Sequence, residues 1–272
     1  MENKDIDVPL PDSINPLGRK LSEIVNSDSN ISYNRIFLGD CIELLRSLPD
    51  ECVQLVITSP FYNLGSGRGR RRKFSEYMEL QEKIIRECHR ILNPTGSIFW
   101  QVGSFTVHGE VYPLDIKFFP IFEKLEMIPR NRIIWTKTHG VHSKYKFSCR
   151  HEAILWFTKT RNHFFNVDPV RIPQKWPNKK AYSGPNKGKL SVNPLGKNPG
   201  DVWDFEQVKW NHPEQTIHPA QFPEKLVERV IKSTTASEPP YNVVRARNII
   251  FFKIDINLRW RTCETRINHF DR

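Results

Sequence analysis

The apolar run VQLVIT at residues 53–58, followed directly by SPFYN, constrains the fold of this chain more than any other feature. A short run rich in Val, Leu and Ile predicts a strand buried on both faces, as in a parallel sheet covered by helices. Pro60 is expected to end the strand, because proline cannot donate to the hydrogen-bond ladder. Phe61 and Tyr62 then stand where a plain loop would more often use Gly, Asp or Asn. These two rings are therefore expected to form part of a site at the carboxyl end of the strand.

Strand and helix patterns alternate on both sides of this run. Apolar residues at helical spacing predict helices in CIELLRSLPDE and over residues 74–92, 113–126 and 222–235. Further strands are predicted at NRIFLGD, GSIFWQVG, NRIIWTK and HEAILWFTK. Such alternation predicts an α/β fold with a mostly parallel sheet and helices on both faces.

Composition changes along the chain predict four regions. Residues 1–30 are polar and are expected to form an N-terminal arm, and residues 31–160 to form the α/β core. Residues 161–215 are rich in Pro, Asn, Lys and Gly and have little periodicity, and they are too many for an ordinary connection. A functional insertion or a small subdomain is expected there. Residues 216–272 are expected to return to the core through the helix at 222–235, followed by an atypical tail over 236–272.

The charge balance points to a polyanionic partner. The net charge is +11, and neutralising phosphates with Lys and Arg releases counterions. Cations cluster in GRGRRRKF, and they are interleaved with aromatic residues in KYKFSCRH and in the segment 173–189. The alternative is a solvated basic surface, but three such segments favour nucleic acid. The predicted contacts to DNA are Arg68, Arg70, Arg71, Arg72, Lys73, Lys144 and Lys146.

Other protein classes are disfavoured by what the sequence lacks. The five cysteines are scattered without a C-x-x-C pair, so neither a disulfide framework nor a metal site is predicted. No apolar run approaches the roughly 20 residues that span a bilayer. The N-terminus MENKDIDVPLPDS lacks the pattern of a signal peptide, and a cytoplasmic location is expected.

Two predicted strand ends carry groups suited to one kind of chemistry. Asp40 ends one strand, and Ser59 and the Pro60 carbonyl end the next. Ligands of open α/β sheets bind at such ends, and aromatic rings there can stack on a planar ligand. Methylation of an exocyclic base amine needs acceptors and stacking, because the amine lone pair is delocalised into the ring. Hydrogen bonds from the amine to acceptors localise that lone pair and orient it.

A family resemblance follows from these segments. LVITSPFYN resembles the fourth motif, [D/N/S]-P-P-[Y/F/W], of the S-adenosylmethionine-dependent DNA amino-methyltransferases. The order of the segments resembles the permuted beta group of that family, over roughly residues 33–235. The matching blocks are FLGDCIELLRSLPDECVQLVITSPFYN, NRIIWTK, FSCRHEAILWFTKTRNHFFN, DVWDF and HPAQFPEKLVERVIKSTT. The resemblance implies a circularly permuted, Rossmann-like methyltransferase fold with a target-recognition region at 161–215.

The resemblance also implies roles for the catalytic segment. Ser59 and the Pro60 carbonyl would polarise the target amine. Tyr62 would stack on the flipped base, and Phe61 would be a wall residue. The alternative for Tyr62 is an ordinary core aromatic.

S-adenosylmethionine is the cofactor that the resemblance implies. Asp40 would contact its adenine, and His218, Gln221 and Pro223 would lie near its methionine end. The alternatives are a turn-forming role for Asp40 and a helix cap for His218.

Two departures from the family pattern affect these expectations. Phe61 stands where the family usually has a second proline. The family also has a D-P-F-x-G-x-G loop for the cofactor carboxylate after a strand that follows the helix, yet residues 201–272 contain no glycine. IIFFKIDI supplies a possible strand only. The chain is therefore expected to diverge from the family after about residue 235, and to bind S-adenosylmethionine weakly or not at all.

The expected function is site-specific methylation of double-stranded DNA in a restriction-modification system, with a restriction endonuclease as functional partner. Ser59 favours the N4 amine of cytosine, since Asp or Asn is more usual in adenine enzymes of this kind. N6 methylation of adenine and a catalytically inactive DNA-binding remnant remain alternatives, and an RNA or protein amine methyltransferase is a weaker one. Carbon-5 methylation is disfavoured because no cysteine follows a proline.

Overall fold

The computed structural model describes residues 40–60, 62, 72–138, 140, 142–215, 221–236 and 249–252. The helices in this part of the chain are α1 (Cys41–Ser47), α2 (Phe74–Ile91), α3 (Leu114–Lys124) and α4 (Glu224–Thr234). The strands are β1 (Val53–Thr58), β2 (Leu92–Val102), β3 (Ser104–Val107), β4 (Glu110–Pro113), β5 (Ile128–Thr136), β6 (His151–Thr158), β7 (Val202–Asp204) and β8 (Ile249–Phe252). The helices fall where the apolar spacing predicted them. α2, α3 and α4 agree within two residues at each end, and α1 covers the first seven residues of CIELLRSLPDE.

Six of these strands form one sheet, in the order β7-β5-β6-β2-β1-β8. β1 lies parallel to both β2 and β8, and β5 lies parallel to β7. β6 runs antiparallel to its neighbours β2 and β5. The prediction of an α/β fold with a mostly parallel sheet is confirmed. The short hairpin of β3 and β4 was not predicted.

β1 is buried on both faces, as its composition predicted. Val56 packs into a core cluster formed with α1, α2 and α3, where Trp100 and Phe118 are fully buried. Leu55 and Ile57 point to the other face and pack with residues of α4. Helices therefore cover both faces of the sheet, and the edge at the end of β1 stands between the two cores.

The segment 161–215 contains little regular structure. A single turn of 3-10 helix at Asp168–Val170 is followed by irregular chain until β7, which pairs with β5 in the main sheet. Trp135 anchors this return, because its indole Nε1 donates to the carbonyl of Phe205 at 2.8 Å. The assignment of this segment to target recognition stays a prediction.

Several predicted features lie outside the described residues. They include the strand NRIFLGD up to residue 39, the arm at 1–30 and the tail other than 249–252. Within the described part of the chain, helices are too short or too polar to cross a bilayer.

Candidate active site

Four strands bring polar residues to one edge of the sheet. β1, β2 and β5 run in the same direction, so their carboxyl ends lie at this edge, and antiparallel β6 begins there. β1 is followed by Ser59 and Tyr62, and β5 by Lys137. Gln101 lies near the end of β2, and Glu152 is the second residue of β6.

Tyr62 is held at this edge through its hydroxyl group. Tyr62 Oη donates to Glu152 Oε2 at 3.2 Å and accepts from Gln101 Nε2 at 2.8 Å. Ser59 Oγ lies 3.4 Å from the same hydroxyl oxygen, which is long for an O–H···O bond. The ring of Tyr62 is half-buried against the core that contains Trp100. Tyr62 thus belongs to the edge of the core and to a polar cluster at the same time.

Glu152 is the charged centre of this cluster. Its Oε1 forms an ion pair with Lys137 Nζ, and its Oε2 accepts from Gln101 Nε2. The side chains of Lys137 and Glu152 are only 18% and 16% exposed, so water screens the pair weakly. Burial, and then the nearby Glu152 carboxylate, raise the pKa of Tyr62 well above its ordinary value. Tyr62 therefore keeps its hydroxyl proton at neutral pH.

The predicted acceptors flank this cluster. Ser59 is half-buried and Pro60 is buried immediately after β1. The structure thus brings Ser59, Pro60 and Tyr62 together at the edge, whereas Phe61 lies outside the described residues. Their catalytic roles stay predictions.

The residues expected near the cofactor have other contacts in the structure. Asp40 is the N-cap of α1, where its Oδ1 accepts from the backbone N–H groups of Ile42 and Glu43 at 2.8 and 3.2 Å. Gln221 donates through Nε2 to the Glu214 carbonyl at 3.1 Å. Pro223 is buried and precedes the first turn of α4. His218 lies outside the described residues.

The basic segments that the structure describes are exposed. Tyr145 and Phe147 are 90% and 101% exposed on the loop between β5 and β6, beside Lys144, whose Nζ lies 5.5 Å from the Tyr145 ring. Lys146 Nζ donates to Thr106 Oγ1 and to the Gly109 carbonyl, both at 3.3 Å, which ties this loop to the β3–β4 hairpin. Among the residues before α2, Arg72 and Lys73 are exposed, and Arg68, Arg70 and Arg71 lie outside the described part.

Four residues of the edge were not singled out from the sequence: Gln101, Gly103, Lys137 and Glu152. The available signal was a polar residue at the end of an otherwise apolar strand, as in IFWQV and HEAILWF. Such residues are often only strand ends that face solvent. Their convergence depends on the antiparallel direction of β6, which the sequence pattern did not predict.

Gly103 follows β2 and lies against the Tyr62 ring. A Cβ atom at this position would stand 3.0 Å from Tyr62 Cε2 and 3.7 Å from Glu152 Cγ. A larger residue would therefore displace the ring on which the cluster depends.

We expect Gly103→Ala to destabilise the protein by about 1–2 kcal/mol through this overpacking, measured as the free energy of unfolding in urea. The same substitution in a Tyr62→Ala protein is the matched control, since the opposing ring is then absent. An equal loss of stability in both backgrounds would show that the ring is not the obstacle.

Comparison with known proteins identifies the family of this chain. Residues 53–239 match the family described as DNA methylase. Type II methyltransferase M.BglII of Bacillus subtilis is 55% identical over 203 residues, which are 74% of this chain and 56% of that protein. Type II methyltransferase M.ScaI of Streptomyces caespitosus is 35% identical over 241 residues, which are 86% of this chain and 75% of that protein.

A solved structure supports the same fold. The PvuII DNA methyltransferase (cytosine-N4-specific) superposes with a TM-score of 0.59 at 18% identity, and 81% of each chain is covered. This likeness confirms the Rossmann-like methyltransferase fold. The present chain spans little more than half the length of M.BglII. On the family match and the similarity to M.ScaI, the chain belongs to the family of N6- and N4-type DNA methylases.

Proposed function

We propose that this chain is a site-specific DNA methyltransferase that transfers a methyl group to the exocyclic N4 amine of cytosine. The observation that carries the proposal is the grouping of Ser59, Pro60 and Tyr62 at the carboxyl end of β1, within the family's DNA methylase match. Its relatives M.BglII and M.ScaI are type II methyltransferases, which supports a role in a restriction-modification system. A restriction endonuclease is then the expected functional partner.

The acceptors at this edge suit the chemistry of an exocyclic amine. A base pulled out of its stack presents an N–H₂ group and a flat ring. Ser59 Oγ and the Pro60 carbonyl would each accept one N–H, and the half-buried Tyr62 ring would stack on the base. Localising the amine lone pair makes the nitrogen a better nucleophile in the transition state. The reaction needs no covalent enzyme nucleophile.

S-adenosylmethionine supplies an electrophilic methyl group when it is bound. The described residues fit one end of this molecule better than the other. The cap of α1 uses Oδ1 of Asp40, and Oδ2 would accept from the adenine amine of the cofactor. β8 lies beside β1 and ends at the same edge, yet glycine is absent from the sequence after it. A Cβ at every following position opposes the close backbone approach that a carboxylate cradle requires.

Cytosine is favoured over adenine by Ser59, since family members that act on adenine more usually have Asp or Asn there. N6 methylation of adenine is the second candidate, because both amines need the same acceptors and the same stacking ring. A remnant that binds DNA without transferring methyl groups is the third. The absence of glycine from residues 201–272, where the family has its cofactor loop, favours such a remnant.

The exposed cations and rings described above supply a surface for duplex DNA. Lys144, Tyr145, Lys146 and Phe147 lie on the loop that starts directly after Lys137 and ends before Glu152. The loop is therefore rooted at the candidate active site. Cations would contact phosphates, and exposed rings would contact bases next to the flipped one.

Methyl transfer from labelled S-adenosylmethionine to DNA tests the proposed function directly. We expect transfer by the wild-type chain at high cofactor concentration, with the methyl group recovered as N4-methylcytosine on hydrolysis. Ser59→Ala and Tyr62→Ala are each expected to lower transfer at least about a hundredfold while DNA affinity stays nearly intact, because both residues act on the flipped base. Ser75→Ala, an exposed serine on α2, is the control. Recovery of N6-methyladenine would establish the second candidate, and DNA binding without transfer the third.

Replacing Arg70, Arg71 and Arg72 with alanine should weaken binding to all DNA sequences alike. Each lost phosphate contact is expected to lower the slope of log K against log salt by about one unit. A charge-matched control replaces Arg46, Arg86 and Lys124, which lie on helices outside the basic segments. The same change in slope for both triples would assign the effect to net charge alone.

Calorimetric titration of the isolated chain with S-adenosylmethionine tests the consequence of the missing glycine loop. We expect weak binding or none, since the sequence after β8 contains no glycine with which to form the family's carboxylate loop. A dissociation constant in the micromolar range would show that other residues hold that end of the cofactor.

A further inference from the structure

Ser59 has a chemical ambiguity that the Asp of related motifs does not have. A serine hydroxyl both donates and accepts hydrogen bonds, whereas an ionised carboxylate only accepts. In the proposed function Ser59 must accept from an amine that itself only donates. The hydroxyl hydrogen of Ser59 must therefore point away from the target base. The inference that follows rests on the proposed function and names the residues that direct this hydrogen.

The Glu152 carboxylate determines which groups donate and which accept in the hydrogen bonds of this cluster. Lys137 has donors only, and it pairs with Oε1 of Glu152. The second oxygen, Oε2, lies 3.2 Å from the Tyr62 hydroxyl and accepts from Gln101 Nε2 as well. An ionised carboxylate cannot donate. The one hydroxyl hydrogen of Tyr62 is therefore committed to Glu152.

With its hydrogen committed, the Tyr62 oxygen can only accept. Gln101 Nε2 has two hydrogens, one for Glu152 and one for the Tyr62 oxygen at 2.8 Å. Ser59 Oγ, 3.4 Å from Tyr62 Oη, must then be the donor of that contact. Both lone pairs of Ser59 are left for the target amine.

We propose that Lys137, Glu152 and Gln101 are positioning residues that direct the Ser59 hydroxyl hydrogen onto Tyr62 and so make Ser59 an acceptor for the target amine. Tyr62 acquires a second function beside stacking, since its hydroxyl receives the hydrogen of Ser59. The low exposure of Lys137 and Glu152 keeps water from competing for these bonds. The raised pKa of Tyr62 keeps the phenol protonated, which preserves the direction of the chain of bonds.

The test uses substitutions that keep size and ring. Tyr62→Phe removes only the hydroxyl group, and Glu152→Gln removes only the charge. We expect each to lower the single-turnover rate of methyl transfer at least about tenfold. DNA affinity and base flipping, followed by 2-aminopurine fluorescence at the target position, should change less than about twofold, since the stacking ring remains.

Glu51→Gln is the matched control. Glu51 also forms an ion pair, with Lys159 at 2.9 Å, but its side chain is 52% exposed and it lies before β1, at the opposite edge of the sheet. This variant should keep the wild-type rate. A tenfold loss in Glu51→Gln as well would overturn the assignment, because any lost ion pair would then have the same effect.

A double substitution separates positioning from a direct role of Tyr62. If the hydroxyl acts through Ser59, Tyr62→Phe should change the residual rate of a Ser59→Ala protein by less than about twofold. Equal losses in the two backgrounds would overturn the proposal, since the Tyr62 hydroxyl would then act without Ser59.

Unfolding in urea tests the same contacts without any turnover. The free energies for Tyr62→Phe should be non-additive with Glu152→Gln and with Ser59→Ala, and additive with Glu51→Gln. Additivity across all three pairs overturns the proposed chain of bonds, whether or not the protein transfers methyl groups. Non-additivity in a protein that transfers none would support the bonds and would overturn the proposed function alone.

Discussion

The antiparallel position of β6 between β2 and β5 is the constraint on which the candidate active site depends. Among the described strands of the main sheet, all but β6 run in one direction, so β6 alone of them brings an amino-terminal end to the edge where β1, β2 and β5 finish. The residue delivered there is Glu152, which pairs across the ladder with Trp135. Because side chains alternate between faces, a one-residue slip of β6 would move Glu152 to the other face of the sheet. The position of Glu152 in the site therefore depends on this register.

The same alternation explains why three strands contribute to one cluster. Gln101 shares its face with Phe99, Glu152 with Ile154, and Lys137 continues the parity of Trp135. Phe99, Ile154 and Trp135 belong to the core that packs against α4. Burial of this core fixes the register of the strands. The same register places the polar residues at the edge, so their placement needs no further ordering of the backbone. Charged groups held in this way can stay desolvated, because Lys137 and Gln101 satisfy Glu152.

Local patterns were sufficient for much of the fold and for placing Ser59 and Tyr62 at the end of β1. The apolar run of β1 and the helical spacing in residues 74–92 each depend on neighbours in sequence, and both appear in the structure. Ser59 and Tyr62 were found because they follow a strand within one motif. Lys137 and Glu152 were not found, since they join Tyr62 only through the pairing of β5 with β6 and of β6 with β2. For Asp40, the structure shows a local role, because its side chain caps α1. A contact between Asp40 and the cofactor stays a prediction.

If Ser59 accepts from the target amine as proposed, the choice of Ser at position 59 has a physical consequence for the rest of the edge. A carboxylate in its place would accept from the amine in any orientation, but would bring a second negative charge close to Glu152. An asparagine would present its oxygen only if its amide were held in one of two orientations. A serine avoids the charge and requires an outside group to take its hydrogen, and the Tyr62 hydroxyl lies at that position. In the proposed role of Ser59, the identity of residue 59 and the presence of Glu152, Gln101 and Lys137 are therefore coupled, and an aspartate at position 59 would relieve the need for these three residues.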